Sequence, residues 1–213
     1  SLVKFISEFR SKEEHSKIRY LVRFSNVLLL ISTLVFFLVF FMLSEYLAIN
    51  VFKDERLIFP FRLFAFLIPI WALTNSFREV IFSYGKISQH SFLVNIFPTV
   101  ANVLFLGIFI FIGLGVNAVF WSYALSLVLV FIISFFLLRK CIDIFKKDDK
   151  LPKKVKKNVR KSLLSYSLPF VFVSLLIKLH TWADSLFLGY FASIREVGLY
   201  SAALPIALLL SLT

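Results

Sequence analysis

The 213-residue chain is 60% hydrophobic, contains 28 Phe and has a mean hydropathy of +0.89. Soluble domains are only roughly 45–50% apolar, so the composition predicts an integral membrane protein and excludes a soluble one. Cys141 is the single cysteine, which excludes a disulfide within the chain and a zinc cluster built from thiolates.

The formal charge of +12 is concentrated in two places along the sequence. Eleven of the 24 Lys and Arg residues lie between Arg139 and Lys161, and six more precede Ser25. Basic clusters next to apolar runs are typical of the cytoplasmic flanks of membrane spans and of contacts with anionic lipids. The distribution therefore argues against a nucleic-acid partner.

The first segment, residues 1–24, starts with apolar residues at helical spacing and then becomes polar. It is either the inner end of a preceding span or a helix lying in the membrane interface, and we favour the first interpretation. Because the sequence opens inside this segment without an initiator Met, we expect a fragment of a longer protein.

Five apolar runs predict five complete spans, because about 20 mainly apolar residues cross the hydrocarbon core of a bilayer. The spans cover residues 25–44, 57–82, 91–112, 117–138 and 163–191. The loops at 1–24, 83–90 and 139–162 hold nearly all of the excess positive charge and alternate with weakly charged loops at 45–56, 113–117 and 192–197. This alternation predicts that the basic loops are cytoplasmic.

The second span is interrupted by Arg62 and Pro69 and ends at Arg78 and Glu79. Arg62 lies about five residues inside it, roughly 8 Å along the helix, so snorkelling to the interface is the simpler interpretation. Arg78, with Glu79, is expected to anchor the other interface. Both arginines are weaker candidates for a transport pathway.

The third and fourth spans carry smaller polar groups. Asn95, Pro98, Thr99 and Asn102 repeat at helical spacing on one face of the third. Hydrogen bonding between helices and cavity lining are equally good explanations of this pattern. Ala118, Ser122 and Ser126 are four residues apart in the fourth span and indicate a close-packing seam.

The fifth span combines a lipophilic side with a polar stripe. The stripe contains Ser167, Ser174, Lys178, Thr181 and Ser185, with Tyr166, His180 and Asp184 along its flank. A charge at membrane depth costs at least roughly 2.5–3.5 kcal/mol, which favours a functional role in a substrate or ion pathway. The alternative is that Asp184 only pairs with His180 and that Lys178 snorkels outward.

The sequence contains no motif that predicts an intramembrane enzyme. His15 and His90 lie in loops, and His180 has only Asp184 near it in sequence. A His-x-x-x-His pair and a Gly-rich phosphate loop are missing from the sequence, and the apolar spans contain no paired-Asp motif. Polar stripes in lipophilic helices therefore favour a pathway over an active site.

Three segments carry a family resemblance: LVKFISEFRSKEE, FREVIFSYGKIS, and LLSYSLPFVF…WADSLFLGYFASIREVGLYSAALPIALL. The most specific positions are Pro169, Asp184, Gly189 and residues 197–203. The chain resembles the polysaccharide-transporter branch of the multidrug/oligosaccharidyl-lipid/polysaccharide exporter superfamily, whose members are lipid-linked oligosaccharide flippases. The resemblance covers essentially the whole sequence.

The resemblance implies an all-α polytopic membrane protein with two lobes and 12–14 helices. Family helices three to seven would be complete here, and helices two and eight partial. Residues 1–138 would belong to the N-terminal lobe and residues 163–213 would begin the C-terminal lobe. Residues 139–162, which include Pro152, would form a flexible, basic cytoplasmic linker between the lobes.

The resemblance also implies a function. Such a protein flips a polyprenyl-pyrophosphate-linked glycan to the outer leaflet of the plasma membrane by alternating access, for cell-surface polysaccharide biosynthesis. It is not an enzyme and needs no cofactor, although H⁺ or Na⁺ coupling is compatible with it. The expected partners are membrane lipids, the lipid-linked glycan and membrane proteins of glycan assembly.

On this interpretation Lys178 is the best candidate to contact a phosphate or a coupling ion, ahead of Arg62 and Arg78. Four polar residues could face the glycan: Asn95, Asn102, Ser174 and Thr181. Peptidoglycan-precursor flippases and ion-coupled multidrug exporters of the same superfamily stay open as alternatives. A membrane-embedded glycan polymerase or ligase is an alternative of another class, but it would need a large extracytoplasmic loop.

Overall fold

The computed structural model describes residues 2–142, 151–192 and 194–210, except for the side chains of 194 and 205–210. In these ranges the chain forms helices joined by short turns and contains no strand. The eight α-helices are α1 (Leu2–Ser11), α2 (His15–Tyr46), α3 (Ile58–Ser83), α4 (Ile87–Ser91), α5 (Phe97–Phe111), α6 (Asn117–Cys141), α7 (Lys153–Phe191) and α8 (Ile194–Leu210).

Within the described ranges, five helical segments are long and apolar enough to cross a membrane. They cover His15–Val51, Glu55–Ser83, Ile87–Phe111, Asn117–Cys141 and Lys153–Phe191. Each coincides with one of the five predicted spans, and the prediction of an all-α polytopic membrane protein is confirmed.

The second helix starts ten residues before the predicted span, at His15 rather than at Ser25. Its first turns place Ile18 and Leu21 in full burial, three residues apart on one face. The apolar run therefore predicted only the part that crosses hydrocarbon, because the preceding turns are stabilised by packing against protein.

The third span begins with α4 and contains a π-helical stretch, Phe92–Ile96, immediately before α5. Pro98 follows this stretch, lacks an amide hydrogen, and its ring would clash with the carbonyl group four residues back. A π-bulge removes that clash by shifting the hydrogen-bond register by one residue. The apolar pattern predicted the span but not this irregularity.

The helices α2, α3, α6 and α5 pack side by side in that order. The predicted seam of α6 is confirmed, since Ala118, Ser122 and Ser126 are at most 3% exposed. The Ser126 hydroxyl donates a 2.9 Å hydrogen bond to the Pro98 carbonyl of α5. Small side chains with hydroxyl groups thus let these helices approach closely, as is typical of membrane bundles.

One end of the bundle is closed by a hydrophobic core that joins five helices. It contains Ile6 of α1, Leu21 of α2, Val80 of α3, Leu138 of α6 and Leu163 of α7, among other buried residues. Because the basic segments 1–24 and 151–162 meet here, we call it the basic end and the other the opposite end. Ile6 is fully buried, so α1 is part of this core.

The structure differs from the predicted linker at both of its edges. The sixth helix continues to Cys141, and α7 begins at Lys153, so most of the segment taken as a flexible loop at 151–162 is helical. Residues 143–150 lie outside the described residues. At the far end of α7, α8 starts at Ile194, inside the segment predicted as a turn.

Candidate functional site

A cavity of about 290 Å³ lies among α3, α5 and α6. It is lined by Trp71 and Arg78 of α3, by Val94, Pro98, Thr99, Asn102 and Val103 of the third span, and by Tyr123, Ser126, Leu127 and Val130 of α6. The lining contains one cation and no carboxylate. We call this the Arg78 cavity.

Arg78 has little protein compensation for its charge. Its Nη1 donates one long hydrogen bond, 3.4 Å, to Asn75 Oδ1 on the same helix, and its Nε is buried without an acceptor. A guanidinium carries five N–H donors, so most of the donors of Arg78 have no acceptor among the described residues. The sequence-based expectation that Arg78 anchors an interface is therefore incomplete, because its side chain also lines the cavity.

The other polar groups of the cavity differ in whether their hydrogen-bond donors and acceptors are already used. Asn102 Oδ1 is buried without a donor. The Thr99 hydroxyl donates to the Asn95 carbonyl at 2.9 Å, and the Ser126 hydroxyl donates to Pro98. The cavity thus offers unused donors on Arg78 and an unused acceptor on Asn102, a pair suited to an anionic group and a neighbouring hydroxyl.

The cavity extends to the middle of the helical layer. Ser126 lies nine residues after the start of α6, which corresponds to roughly 14 Å along the axis and to about half of a hydrocarbon core. Arg78 lies five residues before the end of α3, at the basic end. The lining therefore connects the basic end with the membrane midplane.

Arg62 lines a different cavity, at the opposite end. Its Nη2 forms a 3.0 Å salt bridge with Glu45 Oε2 of α2. Sixteen residues separate Arg62 from Arg78 on α3, roughly 24 Å along the axis, so the two arginines do not share a site. In the adjoining loop, hydrogen bonds from the Arg56 side chain and amide hold the pKa of the Asp54 carboxyl below its ordinary value.

The middle of the polar stripe of α7 (Ser174, Lys178 and Thr181) is exposed, and so is the lipophilic side of the same helix, whereas Ser167 and Ser185 are half-buried. From Leu168 to Trp182 every residue is exposed. The Thr181 hydroxyl donates to the Ile177 carbonyl of its own helix at 2.8 Å. Lys178 and His180 form no hydrogen bond or ion pair with any residue that the structure describes.

Asp184 has a partner that the sequence did not reveal. Its Oδ2 accepts a 2.9 Å hydrogen bond from the Tyr200 hydroxyl of α8, sixteen residues further along the chain. The alternative interpretation that Asp184 pairs with His180 is not what the structure shows. Asp184 is instead part of the contact between α7 and α8.

The structure thus brings together only two of the ten predicted pathway residues, Arg78 and Asn102, in one cavity. Asn95 contributes a backbone acceptor to Thr99 but does not line the cavity, and Arg62 lines the second one. The predicted residues of α7 (Ser174, Lys178, His180, Thr181, Asp184 and Ser185) are not in its lining. Sequence reasoning missed Trp71 and Tyr123, which resemble ordinary residues of an apolar span.

The described residues contain no group of three or more His, Cys, Asp or Glu side chains that could hold a metal ion. Polar groups from three helices around a mid-membrane cavity are typical of a solute pathway.

Comparison with known proteins gives one match. The family model described as "Polysaccharide biosynthesis protein" matches residues 1–213, the whole sequence. Neither the curated proteins nor the solved structures gave a match. The family and the five apolar helices together support a polysaccharide-related transport role for a multi-pass membrane protein. Since the match covers the full sequence, the chain belongs to the polysaccharide biosynthesis protein family.

Proposed function

We propose that this chain is part of a transporter that moves a lipid-linked oligosaccharide, a polyprenyl-pyrophosphate glycan, to the outer leaflet of the plasma membrane. The two lobes of such a protein would rock about a central site and open it alternately to each side. Coupling to H⁺ or Na⁺ and association with membrane proteins of glycan assembly belong to the same proposal.

The observation that carries this proposal is the position of Arg78 in the lining of the Arg78 cavity. Its guanidinium stands in a cavity that extends from the basic end to the middle of the helical layer and has no carboxylate in its lining, and its Nε lacks an acceptor. A pyrophosphate crossing the membrane must exchange water for charge-assisted hydrogen bonds, and arginine provides these in a planar array. Arg78 is therefore the best-placed phosphate contact in the described part of the chain.

The rest of the lining suits the sugar portion of such a substrate. The amide of Asn102 and the hydroxyls of Thr99 and Tyr123 can exchange hydrogen bonds with sugar hydroxyls. Lys178 supplies a second cation, without a partner among the described residues, on a helix that contacts the same bundle at the basic end. We assign Lys178 to a later position on the substrate path.

A transporter also fits the connections at the opposite end better than a polymerase or ligase does. The turn between the π-helical end of the first span and the start of the second covers only residues 52–54, and the turn before α6 covers only 112–116. Neither turn has room for a catalytic domain. Members of this family are generally transporters rather than enzymes.

The test is a complementation assay for glycan export in cells lacking the protein, with abundance measured in parallel. We expect Arg78→Ala to insert normally and to lower export at least about tenfold, since one hydrogen bond to a charged group contributes roughly 1.5–3 kcal/mol. Arg78→Lys should retain part of the activity. Arg195→Ala, which removes an exposed arginine of α8, is the control and should export normally.

Two results would argue against the proposal. One is normal export by a stably expressed Arg78→Ala protein. The other is full export by cells that lack the protein altogether, because a flippase for this substrate would then not be needed.

A further inference from the structure

The second cavity, at the opposite end of α2, α3 and α6, has a volume of about 590 Å³. Binding sites for small molecules are typically roughly 300–1,000 Å³. Its polar lining residues are Glu55, Arg56 and Arg62, and the apolar ones include Phe41, Leu63 and Phe66. The cavity is therefore large enough for part of an amphiphile, and its lining combines charged and apolar groups.

The polar and apolar groups are ordered along the helix axis. Glu55 and Arg56 belong to the 3₁₀ turn before α3, at the membrane interface, whereas Phe66 lies eight residues into α3, roughly 12 Å deeper. Trp121, four residues into α6, adds an interfacial aromatic wall. This order, charged outside and apolar inside, matches the order of headgroup and acyl chain in a phospholipid.

Arg62 provides the most specific feature of this cavity. Its Nη2 is bound to Glu45 at 3.0 Å, and its Cζ lies 5.5 Å from the centre of the Phe41 ring. Its Nε, however, is buried and has no acceptor. A buried N–H donor without a partner is costly, and a phosphate oxygen is the strongest acceptor that a lipid can offer it.

The charges around Arg62 select between kinds of lipid. Arg62 is paired with Glu45, and Arg56 holds Asp54 through two side-chain hydrogen bonds of 3.0 Å. Glu55 forms no ion pair with any residue that the structure describes. Both arginines of the lining are thus paired with carboxylates, whereas Glu55 is not, so the lining holds no unpaired cation for a net negative lipid and offers Glu55 to an ammonium group.

We propose that this cavity holds a zwitterionic aminophospholipid of the leaflet at the opposite end. The phosphate accepts from Arg62, the ammonium group faces Glu55, and one acyl chain lies against Phe41, Leu63 and Phe66. The site is separate from the Arg78 cavity, and its existence does not depend on the transported substrate.

The test is native mass spectrometry of the intact protein extracted in mild detergent. The probe is an equimolar mixture of phosphatidylethanolamine and phosphatidylglycerol with identical acyl chains. We expect the wild-type protein to retain one phosphatidylethanolamine molecule through stepwise detergent washing, in about tenfold preference over phosphatidylglycerol.

Two variants separate the two headgroup contacts. Arg62→Gln should lower retention of phosphatidylethanolamine about tenfold, because it removes the phosphate donor. Glu55→Gln should keep a bound lipid and abolish the preference between the two headgroups. Arg195→Gln, at an exposed arginine of α8, is the matched control and should behave as wild type.

Each opposing result overturns the proposal. These are preferential retention of phosphatidylglycerol, equal retention by wild type and Arg62→Gln, and a folded wild-type protein that keeps no lipid. The last outcome would mean that protein, rather than lipid, fills the cavity. If Arg62→Gln fails to fold, Glu55→Gln decides the question by itself, since Glu55 is exposed and we expect its replacement to leave the fold intact.

Discussion

Arg78 and Lys178 are both cations in apolar helices, but their surroundings differ. Arg78 is half-buried between three helices and directs unused donors into the cavity. Lys178 lies on an exposed stretch of α7 and contacts no partner in the described part of the chain. The first residue is thus held in place by protein, whereas the second depends on what approaches α7.

Lys178 gives a prediction at this scale. Lys178 and Asp184 are six residues apart and point about 120° from each other on the helix, and Asp184 is already bound to Tyr200. Lys178→Ala should therefore leave abundance nearly normal while strongly lowering glycan export in the complementation assay. Lys178→Arg should be partly active if only the positive charge matters.

The matched control for that prediction is Asp184→Asn, which should be milder because Asn can still accept a hydrogen bond from Tyr200. Normal export by a well-expressed Lys178→Ala protein would remove this residue from the pathway. The role of Arg78 would be untouched by that result.

At the scale of elements, α7 is much longer than a membrane span. Its 39 residues correspond to roughly 58 Å, about twice the thickness of a hydrocarbon core. Its first three turns form an amphipathic extension in which Val159 and Leu163 are buried against α1 and α2. This extension fixes the orientation of α7 at the basic end, because it adds packing outside the membrane.

Arg160 makes the extension testable. Its Nε donates to the Tyr20 hydroxyl of α2, and its Cζ lies 4.8 Å from the centre of the Phe24 ring. Arg160→Ala should lower the free energy of unfolding by about 1–2 kcal/mol, measured by denaturant titration in detergent. Removing Lys161, an exposed neighbour, should change it by less than about 0.5 kcal/mol.

A double-mutant cycle with Tyr20→Phe isolates the hydrogen bond. We expect a coupling energy of about 0.5–1.5 kcal/mol between Arg160 and the Tyr20 hydroxyl. Strict additivity of the two substitutions would show that this hydrogen bond contributes no net stability to the contact between α2 and α7.

At the scale of the whole molecule, the charge of the loops and the packing of the helices agree. The segments 1–24, 83–90 and 151–162, which the charge pattern predicts to share one side of the membrane, meet at the basic end. Arg10 of α1, for example, lies over the Tyr84 ring and donates to the Ser83 carbonyl. The sidedness itself, with the basic end in the cytoplasm, remains a prediction.

Single cysteines in a Cys141→Ser background test this sidedness. A cysteine at Lys157, which is exposed at the basic end, should react only with a reagent added to the cytoplasmic side. A cysteine at Val116, which is 78% exposed, should react only from outside. Val116 is a better position than its neighbour Gly115 in the same turn, because the φ of +56° at Gly115 would strain a cysteine placed there. Labelling in the reverse sense would overturn the orientation.

The sequence by itself determined the membrane class, the five spans, the grouping of the basic loops and the seam of α6. These features depend on composition and on spacing within one helix, because a span needs about 20 apolar residues whatever its neighbours are. The packing seam of Ala118, Ser122 and Ser126 was predictable for the same reason, since their regular spacing places them on one face of α6. The family resemblance, likewise, was carried by local motifs.

Only the tertiary structure decided which polar residues share a site. Arg78 and Asn102 are distant in sequence and meet because α3 and α5 pack against the same helix, whereas Arg62 is directed to Glu45 and Asp184 to Tyr200. A helical wheel gives the direction of a side chain from its own axis and not the identity of the helix it meets. The first residues of α2 and α7 were not predicted correctly for a related reason. Packing against protein stabilises polar helical turns, which a hydrophobicity pattern assigns to loops.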